Sequence, residues 1–160
     1  MNPNNKSALI MIALTVALTM VGCNRKTIYS HYEHTPINGW EKNDTLKFSI
    51  FPVRTDGLYR EEVGLRINSA YPFMGLTLIV EQHTTQKRLM RSDTLHTSLI
   101  DHDGTIQGEG MSYYQYNFHL ANLQLQADDT LLVNIRHNMK REMLPGISDI
   151  GVTLKRLSED

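Results

Sequence analysis

T-L-K-F-S-I-F, residues Thr45–Phe51, places Leu46, Phe48 and Ile50 on one side of an extended chain and Thr45, Lys47 and Ser49 on the other. Successive side chains of a strand point to opposite faces, so a period of two marks a strand with one buried and one solvated face. Moving outward, Val63–Asn68 repeats the pattern with Val63, Leu65 and Ile67 inward and Arg66 outward. Leu76–Gln82 is the most apolar strand candidate, and a weaker hairpin partner lies near Gln86–Met90. Asp93–Ile100 leads into the turn Asp101-His102-Asp103-Gly104. Ser112–Leu120 sets Tyr114, Tyr116, Phe118 and Leu120 against Tyr113, Gln115, Asn117 and His119. Thr130–His137 and Ile147–Leu157 supply two more strands, and Ile28–His34 opens the series.

Turn chemistry separates these runs: Pro36-Ile37-Asn38-Gly39 ahead of Trp40, Asp56-Gly57, Tyr71-Pro72-Phe73-Met74-Gly75, Asp128-Asp129 and Pro145-Gly146. Asn138–Leu144 predicts a single helical turn. Strands at intervals of about 10–20 residues, with no long helical period among them, predict an all-β fold, an antiparallel β-sandwich of jelly-roll or immunoglobulin-like topology.

The exception is the amino terminus. Lys6 precedes the apolar run Ala8–Val21, and Met20-Val21-Gly22-Cys23 ends on the only cysteine of the chain. A secretory h-region holds about 7–15 residues, whereas a spanning helix needs roughly 20, so this is a cleaved leader. Gly22 offers a peptidase a bare backbone, and the Cys23 thiol is the group that accepts a thioether-linked diacylglyceryl. Residues 1–22 therefore read as a lipoprotein signal peptide, 23–27 as the acylated cysteine and a short tether, and 28–160 as one domain. Each buried methylene of a lipid contributes about 0.8 kcal/mol, so several chains on Cys23 make a durable anchor in the cell membrane.

Lys6 is the only charged side chain of the leader, which leaves 15 basic residues against 17 acidic ones in the mature chain. A near-neutral balance argues against nucleic acid as a partner. With Cys23 carrying lipid, no disulfide is available, and stability rests on packing.

No catalytic constellation emerges. His31-x-x-His34 has a metal-like spacing, but residues three apart on a strand face opposite ways, and no cysteine is free to complete a zinc site. Leu99–Gly110 resembles a calcium loop only briefly: with Gly104 at the turn, Leu99 stands where the first carboxylate belongs and Gly110 where the bidentate glutamate belongs. Asp101, Asp103 and Glu109 leave at most a low-affinity cation site. Gly110-Met111-Ser112 lacks the second glycine of a nucleophile elbow. Glu61-Glu62 and Asp128-Asp129 are adjacent carboxylates that diverge, as solvated pairs do. Trp40 with Tyr113, Tyr114 and Tyr116 offers a sugar-stacking platform or, more simply, core and cross-strand packing. Neither a metal nor another cofactor is expected.

Taken in order, the cysteine at 23, Trp40, Arg66-x-Asn68 before Tyr71-Pro72-Phe73, Asp101-x-Asp103-Gly104 with Gly108-x-Gly110, and Met139-Lys140-Arg141-x-x-Leu144-Pro145-Gly146-Ile147-x-Asp149-Ile150-Gly151 resemble the gliding motility lipoprotein GldH family of Bacteroidetes. The resemblance spans nearly the whole mature chain. It implies a non-enzymatic envelope lipoprotein that supports the gliding apparatus and is linked with type IX secretion, its partners being other envelope proteins. Asn24-Arg25-Lys26 carries no acidic residue, which favours a periplasm-facing position. Loops on a rigid sandwich vary without cost to the core, so the candidate partner contacts are Tyr71, Pro72 and Phe73 in the corner, Asp103 and Gly104 in the glycine-rich loop, and Arg141 and Gly146 in the closing segment. The alternative is a carbohydrate-binding module built on Trp40 and the tyrosines.

Overall fold

The structure, a computed structural model, describes residues 26–84 and 90–157. The leader, Cys23 and the start of the tether lie outside the described residues, as does most of the hairpin partner expected near Gln86–Met90. The fold is built from strands β1 (Thr27–His34), β2 (Trp40–Glu41), β3 (Leu46–Ile50), β4 (Gly57–Asn68), β5 (Gly75–Thr84), β6 (Met90–Ser98), β7 (Tyr113–Leu125), β8 (Leu131–His137), β9 (Met143–Leu144) and β10 (Ile147–Arg156). Among the described residues no helix is long and apolar enough to cross a membrane.

Eight of the strands form two antiparallel sheets of four, in the orders β1-β10-β4-β7 and β3-β8-β5-β6, while β2 and β9 pair with each other. Every connection between the eight long strands passes from one sheet to the other except β5 to β6. That interleaving is the jelly-roll arrangement of the sandwich, and it resolves the choice between jelly-roll and immunoglobulin-like topology. The hairpin partner of β5 is β6, which runs in register from Gly75↔Ser98 to His83↔Met90. The expected strand at Asp93–Ile100 is thus the main body of that hairpin arm.

Alternation does the folding. Phe48 and Ile50 of β3, Val63, Leu65 and Ile67 of β4, Leu76, Leu78 and Val80 of β5, and Val133 and Ile135 of β8 fill the space between the sheets. Each such side chain contributes about 1.5–3 kcal/mol on burial. The β7 strand runs beyond Leu120 to Leu125 because it changes face. Glu61 pairs with Ala121 and Glu62 with His119, so Leu120 is the extra residue of a bulge. Before it Tyr116 is buried, and after it Ala121, Leu123 and Leu125 are.

The helical turn expected over Asn138–Leu144 does not form. Met143 and Leu144 pair instead with Glu41 and Trp40, burying the Trp40 and Leu144 side chains completely. Burial of an indole outweighs the weak preference of a single helical turn.

Strand directions give the sandwich two unlike ends. Thr27 enters at one of them, where Lys155 is its partner, and His34 lies at the other beside Asp149. The connections 51–56 and 126–130 lie at the entry end. At the remote end lie 35–45 with β2 in it, 69–74, 99–112 and 138–146 with β9 in it. The 12 residues of β4 connect the two ends, a span of about 40 Å.

Candidate partner-contact site

The three sequence-predicted contact segments all stand at the remote end. The corner begins as an Asx turn: the Ala70 N–H donates to Asn68 Oδ1 at 2.9 Å, and the Tyr71 N–H donates to the Asn68 carbonyl at 3.1 Å. Tyr71 then folds inward. Only 7 % of it is exposed, its hydroxyl donates to the Gly75 carbonyl at 2.9 Å, and its ring meets Phe73 edge-on at 5.5 Å. Burial pushes the phenol upward, far from titration. Tyr71 therefore has a structural role in the corner, its ring held over the core by that burial and by the bond to Gly75. Phe73 is half-buried, and Pro72 and Met74 face solvent.

The corner holds the glycine-rich loop by backbone bonds, since Leu99 and Ile100 donate to the Met74 carbonyl at 2.8 and 3.2 Å. Ile100 bridges to Ile106, so the loop is a small hairpin with Asp101–Thr105 as its tip. Both aspartates there serve the turn. Asp101 Oδ1 accepts the His102 N–H at 2.8 Å, and Asp103 Oδ1 accepts the Thr105 N–H at 3.0 Å. The Thr105 amide also holds the Asp103 carboxyl below its ordinary value. Gly104 closes the turn at φ +86 with open space around it. Among the described residues no three His, Cys, Asp or Glu side chains gather as a metal site would require.

Gly146 is the joint between the closing segment and the corner. Its φ is +79, a Cβ there would sit 2.2 Å from the Tyr71 nitrogen, and its carbonyl accepts the Asn68 N–H at 2.8 Å. Arg141 is exposed at the same end. Behind this segment lies His137, fully buried, whose ring packs edge-on against Trp40 at 5.2 Å. Its Nδ1 accepts the Met139 N–H at 3.4 Å, which leaves Nε2 to donate to the Trp40 carbonyl at 3.2 Å. Burial lowers the imidazole pKa.

Sequence reasoning found these loops but missed what they expose. Ile37, Met74, Ile106, Met111, Tyr113 and Met143 are large apolar side chains in solvent, and all six belong to the remote end. Met111 is 92 % exposed. For Ile37, Met74 and Met111 the signal available in the sequence was an apolar residue inside a turn, out of phase with the strands on either side.

The stacking platform of Trp40 and the tyrosines does not assemble. Trp40 is 0 % exposed and Tyr116 is buried, with its hydroxyl donating to the Leu99 carbonyl at 3.1 Å. Glu61-Glu62 is not a solvated pair. The two do diverge, Glu62 outward to Lys155 Nζ at 2.6 Å and Glu61 inward with no exposure at all. Continuing the odd-numbered alternation of Val63, Leu65 and Ile67 back through Glu61 and Tyr59 would have placed it there. His31 and His34 also diverge, to Glu33 and Asp149.

Comparison with known proteins adds the lineage. The chain is 25 % identical over 152 residues to the gliding motility lipoprotein GldH of Flavobacterium johnsoniae, covering 91 % of this chain and 94 % of that one. Among solved structures it is similar to a family GH115 4-O-methyl-α-glucuronidase, at TM-score 0.44 and 14 % identity, over 85 % of this chain and 18 % of the enzyme. It is also similar to the Eiger TNF of S. frugiperda, at TM-score 0.32 and 14 % identity, over 82 % of this chain and 94 % of that one. Neither structural likeness is close enough to carry function. The GldH lipoprotein family model matches residues 27–154, and the chain belongs to that family.

Proposed function

We propose that this protein is a non-catalytic, lipid-anchored lipoprotein of the cell envelope that supports gliding motility and type IX secretion by binding envelope proteins through the remote end of its jelly roll. Residues 1–22 are the signal peptide, Cys23 carries the lipid, 23–27 form the tether, and 28–160 form the domain, which faces the periplasm. Family membership and the name of the Flavobacterium johnsoniae relative support the motility setting. The observation that carries the contact reading is the placing of four connections, three of them long, and six exposed large apolar side chains at the end opposite the tether. Rigid strands below and variable loops above are how a sandwich presents a binding surface. The carbohydrate-binding alternative loses its platform with the burial of Trp40.

A photoreactive residue placed at Met74 or Met111 in the full acylated chain tests this in living cells. The expected result is a discrete adduct with an envelope protein from both remote positions and none from Ser49, on the outer face of β3. No envelope-protein adduct from either remote position, with the protein folded and acylated, overturns the reading.

A further inference from the structure

The entry end also exposes apolar side chains. Phe51 is 81 % exposed and Ile28 is 45 % exposed, and the two share a cleft of about 450 Å³ with Tyr29, Ile50, Val53 and Tyr59. Leu58 and Leu132 are exposed on the outer faces of the two sheets near the same end. None of these is a loop tip forced outward by a turn glycine. Phe51 directly continues the alternating run of β3, where a polar residue would cost the fold nothing.

The chain itself indicates what covers them. Only four residue steps separate Cys23 from Thr27, where β1 begins, and four steps of extended chain span at most about 14 Å. A lipid on Cys23 therefore keeps the entry end against the headgroups whatever the tether does. Among the described residues of this end, Lys26, Arg54, Lys155 and Arg156 stand against Asp56, Glu62, Asp128 and Asp129, so the attraction this described surface offers is apolar. Aromatic side chains favour the boundary between headgroups and acyl chains, about 5–10 Å deep.

From this we infer that the entry end is a membrane-docking face: Phe51 and Ile28 insert into the bilayer interface beside the lipid on Cys23. The sandwich then stands on the membrane and holds its remote end outward. This rests on the acylated-cysteine reading given under the proposed function, and a lipid surface is its one occupant.

The test uses the full acylated chain in phosphatidylcholine vesicles brominated at shallow acyl carbons. Phe51→Trp and Met111→Trp are compared after subtraction of the parent, whose single tryptophan, Trp40, is buried at the remote end. The expected result is quenched, blue-shifted emission from position 51 and unquenched emission from position 111, unchanged when anionic lipid is added. Equal, unquenched emission from both positions in protein that floats with the vesicles overturns the docking face and leaves the anchor standing. Failure to float, with no acyl mass on Cys23, overturns the anchor and the docking face together.

Discussion

Glu61 of β4 and Gln82 of β5 meet in the middle of the sandwich, one from each sheet, with Gln82 Nε2 donating to Glu61 Oε2. Neither side chain reaches solvent. Glu61 Oε1 and Gln82 Oε1 are both buried without a donor. A proton on Glu61 converts one of these two acceptors into a donor, which is why a neutral carboxylic acid suits the site better than a carboxylate. Burial, reinforced by the charge of Asp93, pushes the Glu61 carboxyl up to about 8 from an ordinary 4.5.

That displacement sets a direction for stability against pH. The folded state keeps a proton that the unfolded chain gives up, so the contribution of Glu61 is complete below pH 4.5 and is lost as pH rises toward 8. Glu61→Gln preserves the shape of the neutral acid and removes the titration. Its stability is expected to match the parent near pH 4.5 and to exceed it at pH 8 by roughly 2–4 kcal/mol, since each tenfold difference in proton affinity between the folded and unfolded chain is worth about 1.4 kcal/mol. Denaturant melts of the two proteins at several pH values check this.

His137 works in the opposite sense. Its Nδ1 already accepts the Met139 N–H, so a second ring proton would point at a donor. With the folded pKa lowered by burial, the contribution of this imidazole is complete above its ordinary value of 6.5 and is lost as pH falls through the folded value. Proton titration by NMR is expected to find the folded-state pKa of His137 below its ordinary value of 6.5. His137→Ala leaves the Trp40 carbonyl and the Met139 amide without partners and opens a cavity, an expected loss of about 2–4 kcal/mol.

How much of this a reader of the sequence can obtain depends on the range of the signal. The strands around Phe48, Leu65, Leu78 and Val133 are legible because alternation is local and each keeps one parity throughout. The second half of β7 is not, because the bulge at Leu120 is fixed by pairing with Glu61 and Glu62 on β4, far away in sequence. The pairing of Trp40 with Leu144 is likewise non-local, and two-residue strands have no period to read. Among the candidate contacts, Pro72, Asp103 and Arg141 are exposed as expected of loop residues, whereas the direction taken by Tyr71 follows from its hydrogen bond to Gly75.

Two of the candidate glycines separate structure from presentation. Both Gly104 and Gly146 hold positive φ, but a Cβ at Gly104 meets nothing within 4 Å, and one at Gly146 meets the backbone of Ala70 and Tyr71. Gly104→Ala is expected to cost about 1 kcal/mol, the left-handed penalty alone. Gly146→Ala adds a backbone clash and is expected to cost about 3 kcal/mol or more. Thermal melts of the two variants rank them.

The remote end allows stability and partner binding to be moved independently. Tyr71→Phe removes the bond to the Gly75 carbonyl from a buried ring, at about 1 kcal/mol, and changes nothing that a partner would touch. Met74→Ser and Met111→Asp remove apolar side chains that are mostly in solvent, so each is expected to lie within about 0.5 kcal/mol of the parent. The expected outcome in cells is the reverse of that ranking. The two methionine variants lose motility or secretion support and the partner adducts while accumulating normally, and Tyr71→Phe keeps both despite its lower melting temperature. Desolvation explains the asymmetry: an apolar side chain waiting in water contributes nothing to the fold and gains only when a partner covers it. Complementation with each variant, alongside immunoblots of its envelope level, measures both quantities in the same cells, and wild-type function from Met74→Ser and Met111→Asp together would remove the remote end from the binding surface.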